Sequence, residues 1–374
     1  MEENYAITKR RSIKFQLMLS QEQINIIKEL QPLGIKHKSL TKEQLEFTYR
    51  NNWFNLWVPK NLNGLEMPFP QGLDLLEELA YYDGGFAWTV TLCAGANMFA
   101  GFIDPKLSEK LWSDPKICLG GSGRVGGKAI DQEDHYVVSG FWSYATGAPH
   151  LTHFTFNAEI IKNGETVKTD SGEPLYYSFL VPRENVLIEY DWDTFGLECT
   201  ASHSFSIQNL KVKKENAFML DPNSRTSDSA LFNIPFMPFA ELTLLMNYVG
   251  MFKRFLDLIE KYYFEKSKDP NWADKNSKQR FKQLDQIRTS FENKVKEVKH
   301  NAVLLWEMAI ANTEVDASLF ENIATLSREI AKDIRMNCAE VLPLLGIRAA
   351  QRENELNIVF RNIFTASQHS LLNV

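Results

Sequence analysis

The feature that most constrains the fold of this 374-residue chain is a change in the spacing of its apolar residues, near residue 116 and again near residue 220. Between these points, short runs rich in β-branched and aromatic residues alternate with clusters of Gly, Asn, Asp and Pro, as in an antiparallel β region. The runs are HYVVSGFW, THFTFNAEII, YYSFLV, VLIEY and SFSIQNLKV. On both sides, apolar residues recur every three or four positions, the spacing of amphipathic helices.

The N-terminal helical pattern carries local signals for where its helices begin and end. Ser20, with Gln23 three residues later, forms a possible capping box. Pro32 and Gly34 are expected to interrupt the helix that follows. The Gly- and Ala-rich stretch 83–102 fits either a buried helix or the wall of a pocket, and the pattern leaves both open.

After the polar segment 221–229, which we interpret as a linker, four apolar stripes at helical spacing follow, with a break near residues 268–276. The sequence therefore predicts an α+β chain of three parts. Residues 1–115 form an N-terminal helical domain, residues 116–220 a middle antiparallel β domain, and residues 221–374 a C-terminal four-helix bundle.

Composition excludes several classes of partner. The formal net charge is −6 and no long basic run occurs, so nucleic acid is not expected as a partner. No stretch approaches the roughly 18 apolar residues of a membrane span, so no membrane association is expected.

The cysteines and histidines give no metal or disulfide pattern in the sequence. The four cysteines are far apart and form no CxxC pair, which favours the reducing cytoplasm. His150 and His153 are close together, but no third ligand follows at metal spacing, so no metal is predicted. The cysteines are Cys93, Cys118, Cys199 and Cys338.

Residues 140–154, GFWSYATGAPHLTHF, are predicted to form a strand, a turn with Gly and Pro, and a second strand. Trp142 and Tyr144 alternate there with the hydroxyl-bearing Ser143 and Thr146, which would place an aromatic wall beside hydrogen-bond donors, as a flavin requires. A plain antiparallel hairpin is the alternative interpretation. The glycine-rich opening LGGSGRVGGKAI matches neither a Walker loop nor a dinucleotide-binding fingerprint.

Four strings in this order resemble the acyl-CoA dehydrogenase superfamily over nearly the whole chain. They are VPKNLNGLEMP, GSGRVGGKAIDQEDHYVVSGFWSYATGAPHLTHF, FGLECTASHSFSIQNLKV and LGIRAAQRENELNIVFRNIFTASQH. The resemblance implies an N-terminal helical domain, a middle β domain and a C-terminal four-helix bundle, with a flavin between the last two and a homotetramer formed through the bundle.

The resemblance also assigns residues to the flavin, FAD or FMN. Thr200 and Ser202 match the threonine and serine of the family string GLRGTGS, although a turn at a strand end is their alternative role. Gly346 stands where the dehydrogenases have Gly-Gly-x-Gly. The residues placed along the flavin are Ser122, Gly123, Trp142, Tyr144, Ala145, Thr146 and Gly147.

The residues after Arg361 distinguish two types of flavin-dependent reaction, dehydrogenation and oxygenation. Dehydrogenases of the superfamily take a substrate proton with a late glutamate, whereas no carboxylate follows Arg361 in this chain. The pattern RNxxxxxxH, which ends at His369, resembles instead the two-component flavin-dependent monooxygenases. These use reduced flavin from a separate reductase, and O2, to oxygenate small aromatic or heteroatom substrates. The resemblance makes His369 and Thr146 the catalytic candidates.

Two alternatives to a monooxygenase stay open. One is an acyl-CoA dehydrogenase whose base has moved, and Glu340, Glu353 and Glu355 exist upstream. The other is a relative of the same fold that binds a ligand without catalysis.

Overall fold

The computed structural model describes residues 18–313 and 316–373. A helical N-terminal region precedes a central sheet, and a helical C-terminal region follows it, in the predicted order. The N-terminal helices are α1 (Gln21–His37), α2 (Lys42–Arg50), α3 (Phe69–Tyr82), α4 (Gly84–Asn97) and α5 (Pro105–Leu111). The C-terminal helices are α6 (Phe236–Lys266), α7 (Pro270–Trp272), α8 (Lys278–Ala311), α9 (Ala317–Val341) and α10 (Glu355–Ala366).

Helix α1 begins with the predicted capping box but does not end where the sequence indicates. The Ser20 hydroxyl accepts from the backbone N–H of Gln23, and the Gln23 side chain accepts from the N–H of Ser20. The helix then continues through Pro32 and Gly34, so the predicted interruption is wrong. Gly34 is buried so closely against α2 that a Cβ there would lie 2.8 Å from Oε1 of Gln44. Tertiary packing of α1 thus outweighs the one hydrogen bond that a proline removes.

Among the described residues, the sheet has eight strands: β1 (Leu119–Asp131), β2 (His135–Ala145), β3 (His153–Lys162), β4 (Glu165–Thr166), β5 (Tyr176–Pro182), β6 (Leu187–Ile188), β7 (His203–Lys213) and β8 (Ala217–Phe218). Their order is β6-β7-β2-β1-β3-β5-β8, with β4 paired to β3.

One strand pairing corrects two expectations. Strand β1 lies between β2 and β3, antiparallel to β2 but parallel to β3, so the sheet is not wholly antiparallel. Because β2 and β3 both pair with β1, the predicted strand, turn and strand of residues 140–154 are not a hairpin. The turn instead crosses over the end of β1, a connection that depends on contacts distant in sequence.

The core of the sheet explains two glycines in the middle of β1. Trp142 is 1% exposed, stacks on Phe205 and donates from Nε1 to the carbonyl of Asn157 at 2.9 Å. A Cβ at Gly126 or Gly127 would lie within 2.6 Å of the Trp142 ring. These two glycines therefore make room for the indole.

The C-terminal helices pack on one another and on the N-terminal helices. Helix α6 contacts α3, α4, α8, α9 and α10, and its end at Lys266 agrees with the predicted break. The buried Glu77 on α3 pairs with Lys253 on α6 and with Lys299 on α8. Within the part of the chain that the structure describes, no helix is long and apolar enough to cross a membrane.

Candidate active site

Three hydroxyl groups from two places in the sequence meet at the end of β2. Oγ1 of Thr146 lies 2.9 Å from Oγ of Ser202, which lies 2.8 Å from Oγ1 of Thr200. All three residues are buried, and the N–H of Gly147 donates to the carbonyl of Thr200 at 2.8 Å. The structure thus brings together four of the residues that the sequence predicts: Thr146, Ser202 and Thr200 form a chain of three hydroxyls, and Gly147 is joined to Thr200 through its backbone N–H.

An exposed aromatic ring lies next to this chain along β2. Tyr144 is 63% exposed, with φ of 69°, at a register shift between β2 and β7. Its ring meets that of Trp192 edge to face, with centroids 6.3 Å apart. Ala145, the next residue, is fully buried, so the side chains of these two neighbours point in opposite directions, one to the surface and one to the interior. Burying an aromatic ligand against Tyr144 would remove apolar surface from water.

Other predicted residues lie on the same sheet but in different surroundings. Ser122 is half-buried and Gly123 is exposed on β1, where the pairing with β3 shifts register. The carbonyl of Gly123 accepts from Nδ2 of Asn157 at 2.8 Å. The Trp142 ring is 1% exposed and packs on Phe156 and Phe205, so its contacts are structural.

His369 lies in the turn that follows α10 and faces the N-terminal helices. Its ring meets that of Trp88 on α4 edge to face at 6.0 Å, and burial lowers the pKa of the imidazole. The carbonyl of Ala366 accepts from both the N–H of His369 and the hydroxyl of Tyr248, which fixes the turn. The imidazole is therefore held neutral near pH 7 and positioned by backbone contacts.

Helix α4 connects the two catalytic candidates. Trp88 contacts His369, and Cys93 lies 4.0 Å from the carbonyl of Thr146 through its Sγ. At about 1.5 Å of rise per residue, Trp88 and Cys93 are roughly 7.5 Å apart along the helix axis. The helix is buried almost throughout, so the stretch 83–102 is a buried helix that also borders these residues.

Helix α10 holds the loop 195–200, which ends at Thr200, by two side chains that the sequence did not indicate. Nη1 of Arg361 donates to the Glu198 carboxylate and to the carbonyl of Phe195. Oδ1 of Asn362 accepts from the N–H of Leu197 at 2.8 Å. The hydroxyl chain and the helix that precedes His369 are thereby joined. Arg361 and Asn362 are adjacent in the RN pair of the sequence, but their partners are more than 160 residues away.

Gly346 lies apart from these contacts. It joins two short 3-10 helices, Leu342–Leu345 and Ile347–Ala350, with φ of 72°. Among the described residues, a Cβ there would approach only Oη of Tyr262, at 3.7 Å. Its conformation explains why glycine stands there, and its contact with a flavin stays a prediction.

The residues at the end of β2 fit an isoalloxazine ring. Each hydroxyl can donate one hydrogen bond and accept others, which suits ring nitrogen and oxygen atoms, and Tyr144 supplies an exposed aromatic surface beside them. The hydroxyls of Thr146, Ser202 and Thr200 and the backbone around Tyr144 would hold the ring.

A separate polar cluster lies behind this turn. Cys93, Cys118 and His150 approach one another, with Sγ of Cys93 3.9 Å from Nε2 of His150. Burial raises the pKa of the Cys93 thiol, but hydrogen bonds from Cys118 and His150 outweigh it and lower that pKa to about 6. The three residues come from separate elements, so spacing in the sequence could not reveal the cluster.

Comparison with known proteins identifies the fold. No protein-family model matches the chain. The crystal structure of the HsaA monooxygenase from Mycobacterium tuberculosis superposes with a TM-score of 0.87 over 94% of this chain and 92% of that one, at 16% identity. The chain has the acyl-CoA dehydrogenase-like fold. A second structure of this fold, XiaF from Streptomyces in complex with FADH2 and glycerol, gives a TM-score of 0.83 at 20% identity, covering 94% of this chain and 90% of that one.

Curated relatives of this fold agree with the structural neighbours. Over 205 residues the chain is 25% identical to an indole-3-acetate monooxygenase of Acinetobacter baumannii, covering 54% of this chain and 51% of the relative. Over 163 residues it is 25% identical to HsaA of M. tuberculosis, the oxygenase subunit of a flavin-dependent monooxygenase, covering 43% of this chain and 40% of the relative. The matches span about half the length of these relatives or less. The resemblance drawn from the sequence is confirmed, because relatives and neighbours are oxygenase components of this fold.

Proposed function

We propose that the chain is the oxygenase component of a flavin-dependent monooxygenase that acts on a small aromatic or heteroatom-containing substrate. It would take reduced FAD or FMN from a separate flavin reductase. A bound reduced flavin would supply the electrons that activate O2. The relatives and neighbours named above support this proposal through their own activities.

The observation that carries the proposal is a half-buried imidazole with a lowered pKa on a C-terminal segment that holds no carboxylate. His369 packs against Trp88, and residues 362–374 contain no Asp or Glu. A neutral imidazole can take the proton of a phenol or an indole during oxygenation. The upstream carboxylates support the dehydrogenase less well: Glu355 is bound by Arg254 and Glu353 is exposed.

In this proposal Thr146 and Ser202 bind the flavin through their hydroxyls, with Thr200 completing the chain. Because each buried hydroxyl has a partner, the group is fixed before a ligand arrives. Ser122, Gly123, Tyr144, Ala145, Gly147 and Gly346 would contribute backbone or surface contacts. Trp142 would support the turn from inside the sheet.

The first test compares two buried threonines for flavin binding. Thr146→Val should weaken binding of reduced FAD or FMN by about 1–3 kcal/mol, the cost of losing a buried hydroxyl partner. Thr155→Val is the matched control, since Thr155 is equally buried on β3 and its hydroxyl donates to the carbonyl of Gly120. Anaerobic titration followed by flavin fluorescence measures both dissociation constants. Equal affinities in the two variants would contradict the role of Thr146.

The second test separates the oxygenase from its alternatives. Protein mixed with a flavin reductase, FAD or FMN, NADH and O2 should oxygenate phenols or indoles, and His369→Gln should slow this by on the order of 10²–10⁴. His153→Gln is the control, since burial also lowers the pKa of His153. Anaerobic bleaching of oxidised flavin by an acyl-CoA would favour the dehydrogenase. Failure to bind either flavin would favour the non-catalytic relative.

The assembly and location follow from the same proposal. We infer that α6, α8, α9 and α10 form a four-helix bundle over residues 221–374, and that residues 1–115 and 116–220 are the other domains. Exposed apolar side chains on the C-terminal helices support a homotetramer formed there. They are Met237, Phe264, Val303, Ile310 and Met336. Sedimentation measures the assembly, and the reduced cysteines support a cytoplasmic location.

A further inference from the structure

Cys93, Cys118 and His150 are brought together by three separate elements. Cys93 lies on α4, Cys118 immediately precedes β1, and His150 lies in the turn between β2 and β3. Their two sulfur atoms and one ring nitrogen all lie within 4.8 Å of one another. In the described ranges, 18–313 and 316–373, no other group of His, Cys, Asp and Glu converges in this way.

We propose that these three residues bind a soft divalent cation, with Zn²⁺ the best match, through two thiolates and one imidazole. Zinc bonds sulfur at about 2.3 Å and nitrogen at about 2.0–2.1 Å, so ligand atoms of a tetrahedral site are roughly 3.5–3.8 Å apart. The Cys93 Sγ to His150 Nε2 distance of 3.9 Å already approaches this value. Contraction of these distances by at most about 1.3 Å would complete the site.

The charge and softness of the donors fit this ion. Two thiolates and a neutral imidazole carry a charge of −2, so a divalent cation gives a neutral buried site. Thiolate ligands select zinc over the hard cations Mg²⁺ and Ca²⁺. Three protein ligands leave one position for a water molecule, and the half-buried His150 provides the side from which the ion enters.

The turn is shaped around the imidazole. His150 stacks on Phe54 with ring centroids 5.8 Å apart and an angle of 13° between the planes. Gly147 has φ of 79°, and a Cβ there would lie 2.6 Å from Cε1 of His150 and 3.3 Å from Sγ of Cys93. Only glycine leaves room for the ring at this distance. A bound ion would tie α4, the start of β1 and the 146–152 turn together.

The other interpretations of two buried thiols fit less well. A nucleophile must reach a substrate, but Cys93 and Cys118 are fully buried. A disulfide would leave His150 without a role, although its ring is held against Phe54 and directed at Cys93. The metal site uses all three side chains.

The test uses the full chain, reduced and freed of metal by a chelator, and Co²⁺ as a spectroscopic probe. Wild-type protein should bind one Co²⁺ per chain with a thiolate-to-cobalt charge-transfer band that Zn²⁺ bleaches. Cys93→Ser and His150→Gln should weaken Co²⁺ binding at least tenfold. Cys338→Ser is the matched control, because Cys338 is also fully buried but lies on α9, and it should bind as wild type does.

Three outcomes would overturn the proposal. They are the lack of a charge-transfer band in the wild type, equal Co²⁺ affinity in His150→Gln and wild type, and a Cys93–Cys118 disulfide in metal-free protein as purified. Because His150 is partly exposed, His150→Gln is expected to fold, and circular dichroism checks this. No flavin is present in these measurements, so their result is independent of the proposed oxygenase activity.

Discussion

Glu198 and Arg361 form the contact that fixes the loop 195–200 on α10, and we expect its loss to release that loop. The change is Glu198→Gln, which removes one charge and keeps the size of the side chain. Arg361 then retains its bonds to Oδ1 of Asn357 and to the carbonyl of Phe195, but its charge is no longer balanced. The perturbation is therefore electrostatic and local.

The size of the effect follows from burial. The Glu198 and Arg361 side chains are only 13% and 10% exposed, so water screens the pair weakly. Removing one partner of a buried ion pair costs about 3–5 kcal/mol. Since the bonds from Arg361 to Asn357 and Phe195 remain, we expect a loss of unfolding free energy at or below the bottom of this range, about 2–3 kcal/mol.

Two measurements locate this loss. Chemical denaturation gives the global free energy of unfolding, and hydrogen exchange gives the opening of the loop. The N–H groups of Leu197 and Thr200 are bonded to Oδ1 of Asn362 and to the carbonyl of Leu197, so both should exchange faster in Glu198→Gln. If the loop opens without the rest of the protein, hydrogen exchange of these two amides accelerates while the global free energy of unfolding changes little.

Glu215→Gln provides the control, because Glu215 pairs with Lys213 on the surface of the same region. Exposed pairs contribute about 0–1 kcal/mol, so this variant should remain close to wild type. The reasoning is refuted if both variants lose the same stability and the Leu197 amide exchanges at the wild-type rate.

Three further predictions concern pH and the turn. Burial lowers the pKa of His369, so as pH falls below about 6.5 the imidazole is protonated in the unfolded chain before it is protonated in the folded one, and the free energy of unfolding decreases. His369→Gln should therefore reduce the dependence of the unfolding free energy on pH, measured by denaturation at several pH values. Burial raises the pKa of Asp83 from 3.8 to about 6, so its carboxylate destabilises the fold increasingly as pH rises through that range. Asp83→Asn keeps the helix cap and should raise the unfolding free energy by about 1–3 kcal/mol at pH 8 but little at pH 4. An equal gain at the two pH values would contradict this prediction. Gly147→Ala should lower the melting temperature, since the positive φ and the His150 ring both oppose a Cβ; an unchanged melting temperature would show that the turn relaxes.

Sequence reasoning succeeded where the signal was local. The Ser20 capping box and the break after Lys266 depend on residues within a few positions, so the pattern alone predicts them. It failed for Pro32 and for the hairpin of residues 140–154, because packing of α1 on α2 and pairing with β1 involve distant residues.

The candidate site shows the same division. Thr146 and Ser202 are 56 residues apart, and the family resemblance, not spacing, assigned both to the flavin; the structure places their hydroxyls 2.9 Å apart. The sequence does not predict the group of Cys93, Cys118 and His150, because these residues lie on a helix, before a strand and in a turn, and are far apart in the sequence. The side chains of Trp142 and Tyr144 are two residues apart on one strand, yet one is in the core and the other is exposed. Tyr144 has a positive φ, which composition does not predict, and this backbone conformation occurs where the exposure of the side chains changes.

The docking of α3 on α6 means that this protein cannot mature in the order in which it is synthesised. Leu73 and Leu76 of α3 are buried, and Glu77 of α3 pairs with Lys253 of α6, which is 176 positions later. At roughly 5–20 residues per second, the ribosome needs on the order of 10–40 s to extend the chain from α3 to the end of α6. During that interval the apolar face of α3 lacks its partner helix, so the nascent chain should be a chaperone client, and a fragment that stops before α6 should aggregate.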